Sequence, residues 1–271
     1  MPEVEKGFAE INGAKLYYEV AGSGHPLVMV HAGIADNRMW DDQFNAFADQ
    51  YRVIRFDQRG YGQSPPVDGE FSRHQDLYEL LKFLNVDRAY LMGCSLGGGV
   101  SLNFALEYPD MAAALILVGS GPGGFDVKKD PPKQWDDIVK SFEANDLERT
   151  AELEVQVWVD GASRTPEQVD AALRAKVFDM NLIALKYEKL ECGKELSLEP
   201  AAAVRLGDLR IPVLLVVGDL DTPYIQAAND FMLENLHFGQ KVVMTGTAHV
   251  PNMEYPQVFN QHLSTFLASL S

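Results

Sequence analysis

Only two cysteines, Cys94 and Cys192, occur in 271 residues, and they stand far apart, so the chain offers no disulfide framework to read. Basic residues are scarce as well. Against 23 Lys and Arg stand 39 Asp and Glu, a formal net charge of −16. That balance argues against nucleic acid or an anionic membrane surface as the main partner, since both are bound through positive charge. Long hydrophobic runs are missing too. The opening MPEVEKGFAEINGAK has no apolar stretch of signal-peptide length, and no later segment approaches a membrane span, so a cytoplasmic enzyme is expected. No internal repeat or low-complexity tract breaks the chain.

What is present is an alternation of strand-like and helix-like segments. KLYYEVAG at 15–22 alternates and reads as hairpin material around NGA at 12–14. PLVMVHAG at 26–33 is continuously apolar, as a central strand covered on both faces requires. AAALILVGS at 112–120 and IPVLLVVGD at 211–219 are buried-strand runs, and YRVIRFD at 51–57 and RAYLMGC at 88–94 read as further strands. KVVMTGT at 241–247 is a shorter strand. Helical spacing separates them, as in QDLYELLKFLNV at 75–86, where Leu77, Leu80, Leu81 and Leu84 share one face. The pattern predicts a mainly parallel α/β sheet with helices on both faces. Residues 121–208 break the rhythm with helical stretches such as DLERTAELEVQVWV and PAAAVRLGDL, and no convincing strand. They read as a helical cap inserted into a core made of residues 1–120 and 209–271.

Four glycines crowd the segment GCSLGGG at 93–99. Glycine costs backbone entropy in a regular element, so this density needs a geometric reason. With a strand before it and a helix after it, Gly93-x-Ser95-x-Gly97 fits a sharp strand-to-helix turn that exposes a nucleophilic serine. A serine hydroxyl is a poor nucleophile without a base. Of six histidines, His249 follows the last strand in a loop able to reach across the sheet, whereas His31 reads as a structural hydrogen-bonder. GDLDTP at 218–223 supplies an orienting carboxylate, with Asp221 favoured and Asp219 its competitor, since either could cap a helix. The developing oxyanion needs backbone donors, and the N–H groups of Leu96 and Gly33 are the candidates.

HAG at 31–33, FDQRGYGQS at 56–64, GCSLGG at 93–98, VVGDLDTP at 216–223 and HVPNMEYP at 249–256 together resemble the α/β-hydrolase superfamily, in order and across the chain outside the insertion. The resemblance implies an eight-stranded, mainly parallel sheet with a helical cap between its sixth and seventh strands. It also implies that Asp57, Arg59, Gly60, Gly62, Glu254 and Pro256 are structural. Two positions depart from the family pattern: His31-Ala32 replaces the common His-Gly pair, and Cys94, read as a buried filler, precedes the serine.

The chain looks most like the serine carboxylesterase and 3-oxoadipate enol-lactonase branch. That resemblance implies cleavage of a small-molecule ester or lactone through an acyl-enzyme, with Ser95, Asp221 and His249 catalytic and no metal or organic cofactor. Trp158, Phe178, Met180 and Tyr187 are candidates for the substrate pocket. A C–C bond hydrolase, or a slow-turnover ligand receptor of the same fold, is the alternative, and turnover of p-nitrophenyl esters separates them. The natural acid and alcohol, and any homo-oligomer, are left open by the sequence.

Overall fold

In the computed structural model, which describes residues 2–270, the chain begins as a hairpin. Strands β1 (Val4–Ile11) and β2 (Ala14–Ala21) pair antiparallel across a turn at Asn12 and Gly13. Both turn residues have positive φ, 48° and 78°, the pair of values a two-residue hairpin turn needs. There follow β3 (Pro26–Val30), α1 (Asp41–Phe47), β4 (Arg52–Phe56), β5 (Glu70–Phe71), α2 (Arg73–Phe83), β6 (Ala89–Cys94), α3 (Leu96–Glu107) and β7 (Ala112–Val118). Next come α4 (Trp135–Glu143), α5 (Leu147–Val155), α6 (Ala171–Glu188) and β8 (Lys194–Glu195). The chain closes with β9 (Val213–Gly218), α7 (Pro223–Asn235), β10 (Gly239–Met244), α8 (Pro251–Glu254) and α9 (Pro256–Ala268).

Eight strands form one sheet in the order β1-β2-β4-β3-β6-β7-β9-β10, parallel from β4 to β10. The apolar runs behave as their composition requires: Leu27 to Val30, Leu115 to Val118 and Leu215 are fully buried. One face packs on α2 and α3 through Leu77, Leu80, Leu81 and Phe104, the other on α1 and α9 through Phe44, Phe259 and Leu263. The chain runs from β3 outward to β4, then returns to place β6 on the other side of β3. That reversal opens a crevice at the carboxyl ends of β3 and β6, the location where open α/β sheets bind ligands.

Between β7 and β9 the helices α4, α5 and α6 pack on one another. Two details differ from the sequence expectation. Residues 194 and 195 pair with Glu70 and Phe71 as a two-residue parallel ladder, too short to show in a periodicity. PAAAVRLGDL forms only two 3-10 turns, Ala202–Val204 and Leu206–Asp208, each too short to sustain α-helical hydrogen bonding.

Candidate active site

The turn between β6 and α3 sets Ser95 at φ 51° and ψ −116°, a conformation that L side chains avoid and that needs support from the surrounding structure. The support is visible. Ser95 N–H donates to the Val118 carbonyl at 2.8 Å, and its own carbonyl accepts from Gly99 N–H and from Ser120 Oγ, both at 3.0 Å. Gly93 and Gly97 allow the helix to start against the sheet. A Cβ on Gly93 would overlap the Gly97 carbonyl, and one on Gly97 would overlap the Val30 carbonyl. The glycine density is thus steric: strand and helix backbones touch directly.

Ser95 is half-buried at the floor of a cavity of about 630 Å³, which also receives His249, Gly33, Tyr61, Trp158 and Tyr187. His249 lies beyond β10, its ring buried, with Nδ1 2.8 Å from Oδ2 of Asp221. Asp221 ends the turn after β9, where its other oxygen accepts from Thr222 N–H at 2.7 Å, so both carboxylate oxygens are engaged. The competitor, Asp219, is exposed, and its carboxylate accepts from Gly246 N–H at 2.7 Å. It braces the loop before His249 rather than the imidazole.

Gly33 follows β3 in the switch crevice, facing Leu96: a Cβ built on it would lie 3.7 Å from the Leu96 side chain. Among the described residues, no acceptor is found for the N–H of Gly33, which lines the cavity, or for that of Leu96, which directly follows Ser95. Leu96 is also the first residue of α3, where the helix dipole favours negative charge.

The neighbouring polar residues shape the floor. His31 is fully buried between the Ala32 carbonyl, 2.8 Å from Nδ1, and Gln58 N–H, which donates to Nε2 at 2.9 Å. Those contacts describe a neutral ring protonated on Nδ1, and burial lowers its pKa to about 4. Asp57 accepts from Asn37 N–H, Asn37 Nδ2 and Gln63 N–H, yet burial and the nearby Asp36 raise its pKa to about 6. Arg59 pairs with buried Asp76. The Cys94 thiol is buried, its pKa pushed far up by desolvation, and its Sγ lies 3.6 Å from the His249 carbonyl oxygen, so it makes no reactive thiolate.

The opposite wall comes from α5, α6 and the turn that follows α5. Residues 156–160 continue α5 as a π-helical turn, a local widening found often at functional sites. It brings the Trp158 ring to 4.5 Å from the His249 ring, while the Trp158 carbonyl accepts from His249 N–H at 3.1 Å. Arg164 ties the same turn to the histidine loop. Its guanidinium donates to the Gly246 and Val159 carbonyls and pairs with Glu254 at 2.7 Å, and Glu254 in turn accepts from Ala248 N–H.

Of the four pocket candidates, Trp158 and Tyr187 line the cavity, but Met180 and Phe178 do not. Met180 is fully buried in the apolar core, and Phe178 packs against the same core. Both lie deeper along α6 than the cavity reaches. The sequence reading missed Glu154, Asn181 and Glu188, which give this wall its polar character, and Arg73, which reaches the cavity from the start of α2. Glu154 accepts from Asn181 Nδ2 at 2.7 Å, and burial raises its pKa. Arg73 is held by Glu195 and the Arg59 carbonyl. Charged residues on a helix normally read as a solvated face, so no local signal marked them.

A family model described as the alpha/beta hydrolase fold matches residues 25–254. An uncharacterized protein of Mycobacterium tuberculosis is 35% identical over 118 residues, 42% of this chain and 34% of that protein, so this match spans about a third of the relative's length. The pimeloyl-[acyl-carrier protein] methyl ester esterase of Aeromonas hydrophila is 28% identical over 91% of this chain and 96% of its own. Among solved structures, the enol-lactonase of Burkholderia xenovorans superposes with a TM-score of 0.78 at 20% identity, covering 97% of this chain and 100% of that one, a likeness of fold. Among the described residues, no helix is long and apolar enough to cross a membrane.

Proposed function

Because the chain belongs to the alpha/beta hydrolase fold family, we propose that it is a serine hydrolase cleaving small carboxylic esters or lactones through an acyl-enzyme. One observation carries this reading. Ser95, held at positive φ on a cavity floor, shares that cavity with His249, whose Nδ1 is engaged by the buried Asp221. The relatives named as ester hydrolases support it, and residues 121–208 serve as the cap that covers the site.

Asp221 holds the proton on Nδ1 and leaves the Nε2 lone pair free to act as base. Ser95 Oγ attacks the carbonyl carbon while its proton passes to Nε2. The Gly33 and Leu96 N–H groups meet the oxyanion. Collapse of that intermediate breaks the ester bond, and the imidazolium returns its proton to the departing alcohol oxygen. Water then repeats the sequence on the acyl-enzyme, releasing the acid and restoring Ser95. A cavity of about 630 Å³ suits a small-molecule substrate.

The test pairs turnover with labelling. The purified protein is expected to hydrolyse p-nitrophenyl acetate and butyrate, and a serine-directed fluorophosphonate should add one label, on the peptide that carries Ser95. Labelling elsewhere, or no turnover of any ester, overturns the reading; tight binding without turnover would make the chain a receptor.

A further inference from the structure

Trp158 borders two cavities. It lines the Ser95 cavity and also a second cavity of about 790 Å³, together with residues that include Pro131, Pro132, Trp135, Val157, Pro223 and Tyr224. The two spaces differ in chemistry. Away from Ser95, the first is walled by Arg59, Arg73, Glu154, Glu188 and Glu195, and a long alkyl chain laid there would strip water from charges. The second also carries Lys129, Asp130, Lys133, Asp160 and Arg164 on its lining, but most of the surface it exposes is apolar, from proline, aromatic and aliphatic side chains, so an alkyl chain can lie there at a lower cost. Trp158 is the one residue common to both linings.

The side of the substrate that meets this partition follows from the proton path, and here the inference rests on the serine-hydrolase reading above. His249 must hand its proton to the departing alcohol oxygen, so the alcohol part lies against the imidazole. Trp158 covers that imidazole, ring centroid to ring centroid, at 4.5 Å. We propose that Trp158 is a specificity-determining residue that confines the alcohol part of the ester to short chains, and that the apolar cavity behind it is a latent site for a long alkyl alcohol. The backbone of this turn does not depend on the indole, because the bond to His249 N–H uses the Trp158 carbonyl.

The experiment compares ethyl acetate with octyl acetate, which share one acyl-enzyme and differ only in the leaving alcohol. The wild-type protein should show no preference for the octyl ester. In Trp158→Ala the octyl-to-ethyl ratio of kcat/KM should rise at least tenfold, since each methylene removed from water is worth about a factor of four. Loss of the tilted ring contact with His249 slows both esters alike and cancels in the ratio. Filling the second cavity from its exposed rim, in Trp158→Ala with Ala162→Trp, should return the ratio to within about threefold of wild type. Trp158→Leu serves if the alanine variant fails to fold.

A wild-type preference for octyl acetate, an unchanged ratio in Trp158→Ala, or a gain that survives Ala162→Trp overturns the proposal. So does a gain confined to p-nitrophenyl octanoate over acetate, which would assign the cavity to the acyl chain. Calorimetric titration with 1-octanol reads the cavity without turnover, and tighter binding to Trp158→Ala than to wild type is expected. If neither protein hydrolyses any ester while this difference in binding holds, the serine-hydrolase reading fails and the partition stands.

Discussion

The two walls of the Ser95 cavity are held by different forces. On the sheet side, backbone meets backbone: α3 begins against Val30 and Gly93 with no room for a Cβ, and His31 and Asp57 are sealed beneath. On the side of α5 and α6, side-chain charges do the holding. Arg164 pairs with Glu254, Arg174 with Asp160 and Glu152, and Lys176 with Asp41. The first wall cannot shift without separating strand from helix. The second is joined by ties that range from buried to exposed and can be exchanged one at a time. Chemistry that needs fixed geometry is therefore expected on the first wall, and choice of substrate on the second.

The largest effects should come from the rigid wall. Replacing the proposed nucleophile, Ser95→Ala, should lower kcat by roughly 10⁴-fold or more in steady-state assays, because the covalent route is removed. Cys94→Ala should keep most activity, its thiol being buried and un-ionised. A dead but folded Cys94→Ala would break the comparison. Next, Asp221→Asn should cost about 10⁴-fold in kcat, as the same exchange does in serine proteases, where the imidazole is left in the wrong tautomer. Asp219→Asn, two residues away and exposed, should stay within about threefold of wild type, since its carboxylate does not orient the imidazole. The reverse ranking would transfer the role to Asp219.

A pH experiment sharpens the contrast further, because two groups sealed under the rigid wall have opposite linkage. Burial lowers His31 from the free value of about 6.5 to about 4. Its neutral form contributes stability above pH 6.5, which is lost as the unfolded chain takes up protons between pH 6.5 and 4. Asp57 is raised from a free value of about 3.9 to about 6. It costs stability above pH 6, and that cost is relieved over nearly the same window. The two offset each other in the wild type. Asp57→Asn removes one of them, so between pH 7 and pH 4 the variant should lose about 2–3 kcal/mol more than wild type in urea titrations. Parallel pH curves would mean that Asp57 does not titrate there.

The charged wall should give smaller, graded effects. Arg164→Met leaves the Glu254 carboxylate, 4% exposed, without its cation, and should cost about 2 kcal/mol in urea unfolding. Lys176→Ala breaks a pair whose partners are 35% and 41% exposed and should cost less than about 1 kcal/mol. Equal losses would remove the distinction between buried and exposed ties on this wall.

The sequence by itself determined the features that arise from local sterics. Alternation over 15–22 with Asn12-Gly13 specifies a hairpin, continuous apolar runs specify strands covered on both faces, and the glycines around Ser95 specify a tight turn. Each is encoded within about ten residues, because backbone conformation responds to neighbouring side chains. The composition of the cavity wall is encoded in no such window. Met180, Ala184 and Tyr187 lie on one stripe of α6, as spacings of four and seven dictate. Periodicity finds the stripe but not where along it the core gives way to the cavity. The sheet decides that: Met180 is sealed in the core, while Ala184 and Tyr187 reach the space above Ser95. Likewise only the packing of the π-helical turn against the histidine loop sets Trp158 between two cavities, since the contacts that hold it span about ninety residues of sequence, from His249 back to Trp158.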